Sequence, residues 1–267
     1  MLGKLIKYEF KATGRVFLPV FSALLIMAAI TRLFIGMRLE TPKIIAIVLS
    51  SMLLAAAFVI TLVLTLQRFY KNLMMDEGYL MHTLPVSAGR LIWSKLIVAA
   101  VWSIVCGVAA FAALSIMALS TGEAREIFRA LTQIGILSYD QVMLAFECFL
   151  IFLAALACGI LMLYACMALS LFFQKHRVAI SFAFYIGVVT VLQMIPLLFS
   201  RSLEGVVREF SQYPAGDVQS GLAAFFHNHP VLAVHSTAVL ILLGLCALSA
   251  GFFAITRSML KNKLNLQ

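Results

Sequence analysis

A chain of 267 residues that is 63% hydrophobic and only 12% charged, with a mean hydropathy of +1.06, carries more apolar surface than a water-soluble fold of that length can bury. Its apolar residues fall in long blocks, which excludes a soluble enzyme or binding domain and reads as an all-α integral membrane protein. The formal net charge is +9, and where those charges fall decides what they mean.

Residues 1–15, MLGKLIKYEFKATGR, place Leu2, Ile6 and Phe10 at four-residue spacing, while Lys4, Lys7, Lys11 and Arg15 fall on another side. That is the pattern of an amphipathic helix lying in the membrane interface, with the lysines at acidic lipid headgroups. Crossing a hydrocarbon core of about 30 Å takes roughly 20 mainly apolar residues. Six segments meet that length: 16–37, 44–66, 91–119, 142–173, 178–199 and 231–255. Residues 1–15 and the block that follows superficially resemble a secretory signal, but the block is too long for one and lacks a small-x-small cleavage site. The first span is therefore expected to stay attached.

The connections are read in the same order. The short link after the first span makes spans one and two antiparallel neighbours. Residues 120–141 contain Glu123, Arg125, Glu126 and Arg129 and can form a short surface helix, whereas 174–177 is a tight turn. Residues 200–230 form the longest connection. Its Leu222, Ala223, Ala224, Phe225 and Phe226 are too few to span, and apolar enough to dip back as a half-buried hairpin.

With the N-terminus cytoplasmic, six crossings return the C-terminus to the same side. That side then holds thirteen of the twenty basic residues, from Lys4 to Lys263, against the acids Glu9, Asp76 and Glu77. The basic excess is the sidedness of a membrane protein, with no nucleic-acid partner implied. Both termini are expected in the cytoplasm.

Chemistry within the spans is sparse. Arg32, Glu147 and His235 lie near span ends, and Gln193 with Pro196 lies in the second half of the fifth span. For each, a satisfied helix contact or snorkelling competes with a place on a substrate path. His227, His229 and His235 lack a carboxylate or cysteine partner at metal-ligand spacing and read as loop histidines. The five cysteines all fall in apolar spans without a C-x-x-C spacing, and read as small core residues. No hydrolase motif, intramembrane carboxylate pair or P-loop is present, so no catalytic residue, metal site or bound cofactor is expected.

Charge, glycine and proline accumulate together in residues 71–95, KNLMMDEGYLMHTLPVSAGRLIWSK. Asp76 caps a short helix through Glu77, Gly78, Tyr79, Leu80, Met81 and His82, Pro85 ends it, and Ser87 caps the long third helix. Met75, Tyr79 and Met81 or His82 cluster at helical spacing. Exposed Met and Tyr fit a docking knob, and an ordinary loop helix packed on its own bundle fits as well.

The stretch from Asp76 to Lys95, DEGYLMHTLPVSAGRLIWSK, resembles the first cytoplasmic loop of permease subunits of the type-2 family of ATP-binding-cassette exporters. There an acidic-Gly-Tyr-Leu stretch precedes a Leu-Pro-Val-Ser segment and a basic helix start. The layout is similar over the whole chain, 1–267, read as one permease domain. The resemblance implies a bacterial plasma-membrane subunit that moves a substrate while ATP and Mg stay on a separate cytoplasmic ATPase. It implies two ATPases and a second permease copy, identical or related. Residues 71–90 become the coupling loop, with Met75 to His82 as ATPase contacts and the interfacial helix bracing the first span. The Phe-, Leu- and Met-rich bundle suits an amphipathic or hydrophobic cargo, and compact permeases of this family resemble peptide or toxin exporters. An ATP-independent secondary carrier and a non-transporting sensor or immunity protein remain as alternatives.

Overall fold

The computed structural model describes residues 2–37, 40–74, 88–118, 126, 129, 139–173, 178–194 and 230–263. Every long element in it is a helix. The first three are α1 (Leu2–Gly36), α2 (Glu40–Met74) and α3 (Ala88–Ala118). They are followed by α4 (Tyr139–Leu169), which ends in a 3₁₀ turn over Ser170–Phe172, then α5 (Val178–Met194) and α6 (Pro230–Lys263). Between α3 and α4, Glu126 and Arg129 are helical.

Five of these helices, all but α5, are long and apolar enough to cross a membrane. The described part of α5 is a shorter apolar helix. The helices outrun the apolar windows that announce them. α1 and α2 are 35 residues each, about 52 Å at 1.5 Å per residue, against a hydrocarbon core of about 30 Å. An apolar window marks the stretch that avoids water, whereas backbone hydrogen bonding continues into polar sequence without interruption. α2 thus runs past residue 66 through Arg68 and Lys71, and α6 runs past 255 through Arg257 and Lys261.

The same continuity changes the N-terminus. Residues 2–15 are helical and continuous with the first span, because α1 runs unbroken from Leu2 through Pro19 to Gly36. Proline at position 19 removes one backbone donor, leaving the Arg15 carbonyl without its usual partner four residues on. The regular ladder resumes on either side.

The chain divides into two compact units, residues 1–137 and 138–267. In the first, α1 lies against both α2 and α3, which touch each other less. Phe17, Phe21, Leu24 and Ala28 form a stripe at helical spacing on α1, and Val98, Trp102, Cys106, Ala109 and Ala113 form its counterpart on α3. Small residues at Ala28, Ala57, Ala109 and Ala113 let helices approach closely, the usual device where lipid is as apolar as the side chains. Trp102 is the large element of this core, with its ring 4.7 Å from Phe17 and 5.9 Å from Phe10.

In the second unit α4 and α6 form the principal packing. Tyr164, Ala165, Cys166 and Ala168 are buried near the end of α4, as are Thr256 and Leu260 near the end of α6. Glu147, near the start of α4, meets His235, near the start of α6. Starts meet and ends are buried, so the two helices run in the same direction. α1 and α3 do likewise, with Glu9 opposite Lys95 and Thr13 opposite Trp102.

Trp102→Ala is expected to destabilise the first unit by about 3–5 kcal/mol, the usual range for emptying a large aromatic site. Trp102→Phe keeps the ring stack and forfeits a single hydrogen bond, a loss of about 1 kcal/mol. Unfolding midpoints of the purified protein in detergent measure both.

Candidate functional site

Polar side chains inside an apolar bundle need partners, and in the first unit one group of them meets around Glu9. Glu9 on α1 is 11% exposed and receives two cations, one from each neighbouring helix. Lys95 of α3, 4% exposed, donates through Nζ to Glu9 Oε1. Arg68 of α2, 30% exposed, places Nη1 3.4 Å from Glu9 Oε2. One carboxylate therefore joins three helices. A lysine so completely buried persists only where an anion compensates it.

One turn along α1 the network continues. Trp102 Nε1–H donates to Thr13 Oγ1 at 2.7 Å, and the Thr13 hydroxyl donates to the Glu9 carbonyl at 2.7 Å. Trp102 buries its indole among Phe10, Phe17 and Phe21 and turns its polar edge to Thr13. Towards the opposite end of α1, the Thr31 and Ser50 hydroxyls lie 2.6 Å apart, and Thr31 Oγ1 is 3.2 Å from the Ala46 carbonyl. The α1 and α2 helices are pinned at both ends, and their register is fixed between the pins.

The expected residues fall into three groups. Met75, Asp76, Glu77, Gly78, Tyr79, Leu80, Met81 and His82 lie outside the described residues, as does the expected hairpin over 200–230 apart from Pro230. Leu2, Lys4, Ile6, Lys7, Phe10 and Lys11 are all in the first turns of α1. There Ile6 and Phe10 pack against the Phe17–Trp102 core, and Lys7 and Lys11 are exposed. The three residues considered for a substrate path lie on three different helices, α1, α4 and α5. Arg32 is partly buried on α1, and its Nη1 is a buried nitrogen without a hydrogen-bond partner among the described residues. Gln193 is exposed on α5. Glu147 instead finds His235, with Oε2 2.8 Å from Nδ1.

Also in the second unit, Ile180, Phe184, Val188 and Val191 of α5 face Leu248 and Phe252 of α6 across an open apolar groove of about 700 Å³. The groove lining carries no charged side chain. Among the described residues no group of three or more His, Cys, Asp or Glu is placed to hold a metal ion.

The Glu9 junction was readable only in fragments. Glu9 is the sole acid in the first 39 residues, and Lys95 interrupts the apolar run LIWSKLIVAAVW. A lysine within such a run signals a buried partner. What the sequence withholds is that the partner lies 86 positions away. No protein-family model, curated protein or solved structure matches the chain.

Lys95→Met should leave Glu9 short of compensation and cost about 3–5 kcal/mol, the usual penalty for breaking one side of a buried pair. Glu9→Gln combined with Lys95→Met should recover much of that loss, because no uncompensated buried charge remains and Arg68 can turn to water. A double-mutant cycle of unfolding midpoints in detergent checks the sign of the coupling.

Proposed function

We propose that the chain is the membrane-spanning subunit of an ATP-driven exporter, moving an amphipathic or hydrophobic substrate, with a peptide or toxin the class favoured. It crosses the bacterial plasma membrane six times, with both termini in the cytoplasm. ATP and Mg belong to a separate cytoplasmic ATPase present in two copies, and a second membrane subunit, identical or related, completes the assembly. The family resemblance of Asp76–Lys95 is one support. The parallel course of α4 and α6 is another, since two spans pointing the same way need a return crossing between them, and α5 lies in the intervening chain.

The observation that carries the reading is the convergence on Glu9. The coupling segment bridges the end of α2 at Met74 and the start of α3 at Ala88. Arg68 and Lys95, on the two helices flanking it, both bind the one carboxylate on α1. A push delivered to residues 75–87 by a closing ATPase would move three helices as one body. Such a linkage converts a local displacement into a swing between inward-open and outward-open arrangements. The apolar groove beside α5 and α6 suits a cargo or lipid chain without charge.

An ATP-independent secondary carrier is the second reading, favoured by the ionisable Glu147–His235 pair. The two readings part on one experiment: co-purification in detergent with the ATPase encoded beside this chain. On the exporter reading the wild type forms a complex that stimulates ATP hydrolysis, and Tyr79→Ala and Asp76→Ala weaken it while leaving the membrane subunit folded. A folded chain that binds no ATPase and transports without ATP would instead be a carrier.

A further inference from the structure

The packed pair α4 and α6 is joined near its starts by an acid and a base. Glu147 lies about two turns into α4 and His235 about one turn into α6. Their side chains are 17% and 23% exposed, with His235 Nδ1 2.8 Å from Glu147 Oε2. Around them the exposed positions are apolar, among them Phe146, Phe149, Val231 and Val234. In helices that cross a membrane such a surface meets lipid, where an isolated charge is costly and pairing is the usual remedy. An imidazole can be either a neutral ring or a cation, so the contact can be either a neutral hydrogen bond or an ion pair.

We propose that Glu147 and His235 form a proton-binding clasp between the starts of α4 and α6. With the proton bound, the imidazolium donates its Nδ1–H to the carboxylate in a charge-assisted hydrogen bond. When one proton passes from the imidazolium to solvent, the ring becomes neutral and the Glu147 carboxylate is left uncompensated between the helices. The clasp is therefore strong while His235 is charged and Glu147 ionised, and weakens as pH rises. Other groups on the packed elements do not supply the missing charge. On α4 the nearest titratable side chains are Cys148 and the exposed Tyr139 and Asp140; α6 has none besides His235 before Cys246, and the described part of α5 has Tyr185 alone. None of these is a cation near neutral pH.

Thermal unfolding of the full chain in detergent, followed between about pH 5 and pH 8, where imidazole titrates, tests the clasp without any ATPase. Wild type should lose stability as pH rises. His235→Lys, which supplies a permanent cation, should reduce that loss, and Glu147→Gln and His235→Gln should be less stable than wild type at the acidic end and have a flatter pH profile. A contact that merely packs would shift the curve equally at every pH. Retention of the wild-type slope by both glutamine variants would overturn the proposal, whatever the lysine variant does. Loss of the slope in both, with partial or full flattening in His235→Lys if that variant folds, would support it.

Discussion

A carboxylate held between two cations inside an apolar bundle is the contact on which the first half of this protein depends. Glu9 compensates Lys95, which is almost wholly buried, and at the same time receives Arg68 from a third helix. In water such an arrangement would be a marginal contributor. Away from water the attraction is less screened, and the penalty for leaving either charge alone is larger. The Glu9, Arg68 and Lys95 charges thus compensate one another only when the three helices are placed together. The Trp102 indole, bonded to Thr13 one turn away, holds the same placement through shape.

Polar contacts matter here because apolar packing alone discriminates poorly. A leucine or phenylalanine stripe loses little on sliding by a turn against another such stripe when the surroundings are themselves hydrocarbon. The α1 and α2 helices are held instead by Glu9 with Arg68 towards one end and Thr31 with Ser50 towards the other. Between these pins the alanines set the distance of approach and the aromatic rings fill the space. Hydrogen bonds specify the register and packing fills it.

The second unit uses fewer such contacts. Its α4 and α6 pack on each other and meet near their starts at Glu147 and His235, and Tyr164, Thr256 and Leu260 are buried near the helix ends. The groove between α5 and α6 adds an apolar face on the same unit.

The one-dimensional pattern was enough to establish the solvent and the element type. Long apolar blocks demand that every backbone group be satisfied within its own segment, and helices meet that demand. Six segments of spanning length follow from this, five of which are helices long and apolar enough to cross a membrane among the described residues, and Ile6 and Phe10 on one face of α1 follow from four-residue spacing. Three things were decided in three dimensions. Helix ends ran beyond the apolar windows, because hydrogen bonding between backbone groups four residues apart ignores side-chain polarity. Residues 2–15 joined the first span for the same reason. Glu9, Lys95, Arg68, Thr13 and Trp102 came together, as did Glu147 and His235, because contacts between helices depend on relative rotation and register. Those quantities arise when whole helix faces meet, and no local spacing encodes which distant charge a buried lysine will find.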